Sequence, residues 1–457
     1  MPSVEILARV QFAFTIAFHY IYPPLSIGLG VCLVIMEGLY LKTGLAIYQE
    51  ITRFWIRIFA LIFGIGVATG IVMEFEFGTN WATYSHYVGD IFGSALAAEG
   101  IFAFALESGF LGVLLFGWNR VGKGVHYFAT IMVALGSIFS ALWIVIANSW
   151  QQTPAGFRIE GTGMQARAVV TDFWEMVLNP SSVDRFSHVI IGAFLAGSFL
   201  VMSVAAWYIL RKQFTAHAQA MFKVGLRVAA VAALLQLFTG HRSAEYVSEY
   251  QPAKLAAMEG HYDSLAAADM YMIGWVNQQK QQTSGIKIPG GLSFLTHGSF
   301  SAPVEGLRAT PEADRPTAVN FVFQTYHTMV IIGFTLIGLT LLAAFLLWKK
   351  KLFEQRWLMI IFVGAVLLPQ IANQVGWYTA EVGRQPWVVY KLLRTSDALS
   401  KTVSANQVMF SLVLFTMVYA LLFVLFLFLL HRKIQHGPDV TQNEEEVSDL
   451  YSKRNLA

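Results

Sequence analysis

The sequence predicts an all-α integral membrane protein, nine transmembrane helices in bundle arrangement with a long extracytoplasmic loop. Three observations carry that prediction. The chain of 457 residues is 56% hydrophobic and only 13% charged, beyond what a soluble domain uses. Several apolar runs approach the roughly twenty residues that a hydrocarbon core requires. The basic residues recur in alternate short connections, as the positive-inside bias demands of a chain that crosses and recrosses a bilayer.

Taken in order, the apolar periodicity places spans at Gln11–Leu41, Phe54–Met73, Ile91–Trp118, His126–Trp150, Ser187–Leu210, Met221–Thr239, Asn320–Trp348, Leu358–Tyr378 and Gln407–Leu430. Lys42 and Arg53, Arg120 and Lys123, Arg211 and Lys212, Lys349–Lys351, and Arg432 and Lys433 all fall on one side. The connection Phe75–Asp90 on the other side has no Lys or Arg. This puts the N-terminus outside, the C-terminus in the cytoplasm, and the two longest loops, Gln151–Phe186 and Gly240–Val319, outside.

Four regions follow: residues 1–239 with helices one to six, an extracytoplasmic loop at 240–319, helices seven to nine at 320–430, and a cytoplasmic tail at 431–457, acidic around Glu444–Glu446. The start, MPSVEILARVQFAFT, has neither a basic leader nor a small-residue cleavage site, so the first helix is expected to be retained. Cys32 is the single cysteine, which excludes an intrachain disulfide and a thiolate cluster. The net charge of +3 is spread over loops, and no basic block resembles a nucleic-acid surface.

Chemistry enters with the stretch Ile371–Trp387, IANQVGWYTAEVGRQPW, which sets Glu381 and Arg384 at the edge of an apolar span. Ionisable groups at membrane depth are costly and by default functional, although GRQPW also reads as a plain interfacial helix stop. On the predicted topology His19, His188, Met329 and Glu381 all fall in the outer part of the membrane. A buried cofactor cluster needs that convergence. Taken singly, a helical His is more often hydrogen-bonded to a neighbouring helix and a Met is more often core filler. As a set they suit haem: imidazole and thioether on opposite faces give a six-coordinate electron-transfer iron, while an iron with one axial ligand keeps a face for oxygen. Zinc would want close tetrahedral spacings, and there is no HxxxH or CxxC.

The third span adds Glu99 and Glu107, about 12 Å apart along an α-helix axis, two stations for a proton relay running inward. The bland alternative is that each carboxyl, neutral, bonds a neighbouring helix.

The motifs QFAFTIAFHY, GVATGIVMEFEFGTNWATYSHYVGDIFG, LAAEGIFAFALES, ALGSIFSALWIVIANSWQQ, RFSH at Arg185–His188, KLAAMEG and GWYTAEVGRQPW extend along nearly the whole chain. Together they resemble subunit I of the cytochrome bd-type quinol oxidases. The resemblance implies His188 and Met329 as axial ligands of a low-spin haem b, and His19 and Glu381 as ligands of a high-spin haem b and a haem d, in an order left open. It implies Lys254 and Glu259 as quinol-binding residues of the loop, Glu99, Glu107, Ser108 and Ser140 as the proton path, and Trp377 as an aromatic between haems. Arg384, and with it Arg9, would pair with haem propionates. Subunit II, and in some members small single-helix subunits, would be its partners in a bacterial inner membrane. Oxygen would be reduced to water with cytoplasmic protons, and quinol protons released outside, generating a membrane potential.

Two departures stand out. His327 occupies a position where better-known members carry an arginine, which puts the potential of the low-spin haem in question. The loop is of the short form, a feature shared with the cyanide-insensitive branch. Two other classes compete: a quinone-linked b-type cytochrome without oxygen chemistry, and a proton-coupled transporter using Glu99 and Glu107. Neither accounts for the outer cluster.

Overall fold

The computed structural model describes residues 3–440; Glu444–Glu446 lie outside the described residues. Nine helical segments among them are long and apolar enough to cross a membrane, matching the predicted spans in number and order. Short connections and apolar periodicity drive the chain into a helix bundle.

The first segment consists of α1 (Val4–His19) and α2 (Tyr22–Thr43), followed by α3 (Ala46–Thr79). The sequence predicts one continuous first span, and the structure bends it at Tyr20–Ile21. Pro23 and Pro24 lack the N–H groups that would bond the carbonyls of His19 and Tyr20, so α1 ends at His19. The third segment runs through α4 (Ala82–Ala98) and α5 (Ala105–Phe116), separated by a π-helical turn at Glu99–Phe104 that the sequence does not announce. Next come α6 (Lys123–Gln152), the small hairpin β1 (Phe157–Glu160) and β2 (Arg167–Val170), and the short α7 (Phe173–Val177).

Helix α8 (Ser182–Arg211) sits at the centre, with most of its middle buried. It crosses α2 so closely that a Cβ on Gly28 would stand 2.2 Å from the Ala193 carbonyl oxygen, so two glycines, Gly28 and Gly197, let the backbones touch. Helix α9 spans Thr215–Tyr250, eleven residues beyond the predicted end at Thr239. The polar residues from His241 onward read as loop, but they continue the helix as a rod on which the loop packs.

That loop then forms α10 (Pro252–Met258), β3 (Leu265–Ala266), the hairpin β4 (Met270–Asn277) and β5 (Gln282–Ile288), α11 (Gly291–His297) and β6 (Pro303–Val304). Its own small core, with Ala257, Leu307, Val322 and Phe323, seats it on the N-terminal end of α12 (Val319–Trp348). The eighth segment is broken into α13 (Arg356–Gly364) and α14 (Leu367–Val382), because Pro369 withholds the N–H that Ala365 needs. The pair β7 (Trp387–Val389) and β8 (Leu393–Arg394) precedes α15 (Ala405–His436), a peripheral helix with few buried residues.

Contacts sort the connections into two ends. Tyr390 N–H donates to the Gln151 carbonyl, Ser400 N–H to the Asn80 carbonyl, and Gln251 Nε2 to the Gln152 carbonyl. These loops therefore share one end. At the other end Tyr208 bonds the Ile434 carbonyl, and Arg57 pairs with Asp439 at 2.9 Å.

Candidate functional site

Helix α6 organises the polar interior. Its face carries Ser137, Ser140, Asn148 and Gln152, spaced by three, eight and four residues, so they lie within one stripe. Toward the loop end, Asn148 Nδ2 donates to Glu381 Oε1 at 3.0 Å, and Gln152 Nε2 approaches the same oxygen at 3.4 Å. The other Glu381 oxygen pairs with Arg384, and Asn148 Oδ1 accepts from Arg185. Lys254 Nζ donates to Gln152 Oε1 at 2.5 Å. Four helices and the turn after α14 thus bring two guanidiniums, an ammonium and a carboxylate into one buried cluster.

The charge balance of this cluster is incomplete. Arg384 Nη1 and Arg185 Nε are buried without a hydrogen-bond partner, which is expensive unless something anionic meets them. Burial, with Arg185 and Arg384 close by, holds the Lys254 ammonium well below its ordinary range. Glu259, the next carboxylate along the loop, is 1% exposed and neither of its oxygens has a partner within bonding geometry. Burial pushes its carboxyl up from 4.5 to about 8. A cavity of about 530 Å³ opens beside it, lined by Gly260, His261, Asp269 and Tyr271.

Three of the four candidate ligands share an unforeseen feature: His19, His188 and Met329 are each backed by a glycine on the facing helix. Gly70 lies so close to His19 that a Cβ would stand 3.2 Å from Cε1; the corresponding distance from Gly240 to His188 Cε1 is 3.6 Å, and from Gly376 to Met329 Sδ it is 2.7 Å. Around His188, Gln236 Nε2 stands 3.1 Å from Nδ1, and Thr239 Oγ1 is at 3.3 Å. Gln236 Oε1, Asn373 Nδ2 and both polar atoms of the Gln370 amide are buried and unpartnered. His188 on α8 and Met329 on α12 thus pack against α9 and α14, the helices that carry these unpartnered amides.

His327 is engaged elsewhere. Its Nδ1 faces the Phe323 carbonyl at 2.8 Å and its Nε2 the Tyr271 carbonyl at 2.6 Å, tying α12 to β4 and leaving neither nitrogen for a metal. Arg9 is half exposed and pairs with Glu5 at 3.7 Å, so it is not brought to the cluster. Trp377 packs beside Tyr378 at 5.2 Å.

Farther from the loop end of α6, Ser140 Oγ donates to Glu99 Oε1 at 2.6 Å. Glu107 is 6% exposed, interacts with Ser137, and packs where Gly136 leaves room. Eight residues of α-helix would separate the two carboxyls by about 80° around the axis, and the extra residue of a π turn takes back about 100°, so both face α6. Ser108 is not gathered in: it is exposed and its hydroxyl returns to the Phe104 carbonyl of its own helix. Sequence reasoning missed Asn148, Gln152, Ser137, Gln236 and the role of Arg185. The i, i+4 polar stripe on α6 was the available signal.

The fold and site define a polytopic membrane protein with a cluster of buried polar and charged side chains at one end of its bundle. The family model for cytochrome bd terminal oxidase subunit I matches residues 7–438, and the chain belongs to that family. It is therefore a subunit of a terminal oxidase, a haem-bearing oxidoreductase. It is 36% identical to the cytochrome bd ubiquinol oxidase subunit 1 of Bacillus subtilis (strain 168), over 96% of this chain and 95% of that protein. It is 34% identical to the cytochrome bd-II ubiquinol oxidase subunit 1 of Escherichia coli (strain K12), over 97% and 99% respectively. The solved structure of bd oxidase from Geobacillus thermodenitrificans superposes with a TM-score of 0.87 at 28% identity, covering 95% of this chain and 99% of that one.

The residues present fit haem. Among the described residues no three His, Cys, Asp or Glu side chains converge, so a bare ion finds no closed ligand set, whereas single axial donors suit an iron whose macrocycle supplies the rest. The unpaired Arg384 and Arg185 nitrogens match the carboxylate edge of such a group.

Proposed function

We propose that this chain is the quinol-oxidising, oxygen-reducing subunit of a bd-type oxidase in a bacterial inner membrane, with its loop end outside. The observation that carries the reading is the gathering, at one end of the bundle, of three glycine-backed donors, two incompletely paired arginines, and the buried side chains of Lys254 and Glu259. The opposite end bears Lys42, Arg53, Arg120, Lys123 and Lys349–Lys351, which supports the assignment of that end to the cytoplasm.

His188 and Met329 would hold a low-spin haem b, and His19 and Glu381 a high-spin haem b and a haem d. When bound, these groups would supply electron transfer and an open iron position for oxygen. The chain's own residues do the remaining work. Lys254 and Glu259 orient the quinol hydroxyls, and Glu259 accepts a proton as electrons leave. Arg384 and Arg185 hold carboxylates in place. Glu107 and Glu99, bonded to α6 through Ser137 and Ser140, pass protons from the cytoplasm toward the outer half. Glu381 has both oxygens engaged, so ligation there requires an exchange of partners with Asn148 or Arg384. The apolar face around Phe75, Ile101 and Phe116, exposed in this chain, suits a second membrane subunit.

The test is a reduced-minus-oxidised spectrum of the purified complex with an oxygen electrode and added quinol. A red-shifted d band and quinol-dependent oxygen uptake are expected; a colourless preparation, or b-type bands without uptake, would overturn the reading.

A further inference from the structure

One buried carboxylate has no part in either route described above. Glu76, near the loop end of α3, is 1% exposed, and its Oε2 is buried without a partner. Its Oε1 accepts from Thr15 Oγ1 at 2.7 Å. The amide of Gln11 also faces it, and Gln11 Oε1 in turn accepts from Asn80 Nδ2 at 3.0 Å and from Ser411 Oγ at 3.1 Å. Ser411 is only partly buried, so the network runs from the outer surface of α15 to Glu76. The Tyr419 hydroxyl of α15, buried and unpartnered, interacts with Glu76 and Thr15.

The position relative to His19 matters. Thr15 lies one turn before His19 on α1, about 6 Å along the axis, and Glu76 lies six residues, about 9 Å, past Gly70, which touches the His19 ring. On α3 itself, Thr69 Oγ1 stands 3.0 Å from His19 Nδ1. The titratable groups facing Glu76 are Tyr419 from α15 and, one turn deeper, His19 from α1; Glu74 on its own helix is exposed on another side. No lysine or arginine pairs with it among the described residues. A carboxylate so placed needs either its proton or a positive charge nearby. With its propionates left aside, the iron–porphyrin core of a haem with a neutral imidazole ligand carries one net positive charge when ferric and none when ferrous.

Building on the reading of His19 as a haem ligand, we propose that Glu76 is the charge-compensating proton site of the His19 pocket. It stands ionised while that centre is oxidised. It binds one proton from the outer medium, forming one O–H bond at the carboxylate, for each electron the centre accepts, and releases that proton when the electron leaves. Electrons come from quinol through the established activity. No other co-reactant is required.

The test uses the purified complex with its partner subunit. In spectroelectrochemical titrations over a pH series, the midpoint of the haem whose band disappears in His19→Ala should fall with rising pH in the wild type and become nearly pH-independent in Glu76→Gln. Redox-difference infrared spectra should lose one protonated-carboxyl band in the same variant. Thr15→Val, which removes the hydroxyl and keeps the carboxylate, should move that band without abolishing it; it keeps the test available if Glu76→Gln assembles poorly. An unchanged pH slope and infrared spectrum in Glu76→Gln would overturn the proposal while leaving the ligand reading intact. Retention of every haem band in His19→Ala would remove the ligand reading, and this proposal with it.

Discussion

Asn148 bridges Glu381 and Arg185, donating to the carboxylate at 3.0 Å through Nδ2 and accepting from the guanidinium through Oδ1. One uncharged side chain thereby fixes an acid from α14 against a base from α8, with α6 as the common support. Because Arg384 takes the other carboxylate oxygen, the cluster tolerates no apolar replacement at its centre. Asn148→Leu leaves two buried groups short of a partner and is expected to cost about 1–3 kcal/mol. A thermal melt of the purified complex, with its haem content, measures this; an unchanged melt and full haem content would remove Asn148 from the cluster's support.

Much of the fold was legible because the bilayer imposes a coarse code. Span number, order and the shared end of His19, His188, Met329 and Glu381 followed from apolar length and alternating basic loops. The breaks at His19 and Ala365 also follow from Pro23, Pro24 and Pro369, one step beyond hydropathy. The π turn at Glu99–Phe104 was not legible, since EGIFAF is compatible with α-helix, and only packing against α6 selects the extra residue. Polar partners such as Asn148 and Gln236 were obscured because amides carry no charge to draw attention. Arg9, which the family resemblance pairs with a haem propionate, lies partly exposed beside Glu5 at 3.7 Å.

The glycine backing of three proposed ligands gives a graded series. A Cβ at Gly376 would lie 2.7 Å from Met329 Sδ, at Gly70 3.2 Å from His19 Cε1, and at Gly240 3.6 Å from His188 Cε1. Overpacking by one methyl costs about 1–3 kcal/mol where nothing can yield, and little at ordinary contact distance. Gly376→Ala should therefore lose or shift the low-spin signature, Gly70→Ala should perturb its band less, and Gly240→Ala should leave the spectrum unchanged. The reverse ranking in low-temperature difference spectra would dissociate these glycines from the ligands.

Two serines separate the proposed proton route from its surroundings. Ser140 donates to Glu99 at 2.6 Å, while Ser108 bonds its own helix on an exposed face. Loss of one such bond to a buried carboxyl is worth about 1–3 kcal/mol, so Ser140→Ala should slow oxygen uptake about fivefold or more. Ser108→Ala should stay within about 0.5 kcal/mol of wild type. Oxygen-electrode rates at saturating quinol decide it, and equal losses in the two variants would mean the route passes through Ser108 after all.

Glu259 predicts a pH dependence of definite sign. Burial raises its carboxyl from 4.5 to about 8, so the folded protein holds the proton over a range in which the unfolded chain has released it. Its contribution to stability is then fully present below about pH 4.5 and is lost as pH rises through about 8. For catalysis the sign is reversed, because only the ionised carboxylate can accept the quinol proton. Quinol oxidation should rise through about pH 8, and Glu259→Gln should lose that limb together with the alkaline decline in stability. A rising limb that survives in Glu259→Gln would assign the proton acceptor elsewhere.

The π turn itself can be tested by removing its extra residue. Ile101 is exposed within Glu99–Phe104, so its deletion sacrifices little buried surface while returning the segment toward regular α-helix. Seven residues of regular α-helix turn through about 700°, the same angle that eight residues with the π turn already span between Glu99 and Glu107. With Glu99 held to Ser140, Glu107 therefore still faces α6 beside Gly136. Helix content by circular dichroism should stay near wild type, and oxygen uptake should stay well above that of Glu107→Gln. A deletion variant that falls to the level of Glu107→Gln would show that the relay needs the π turn itself, beyond the facing of its two carboxyls.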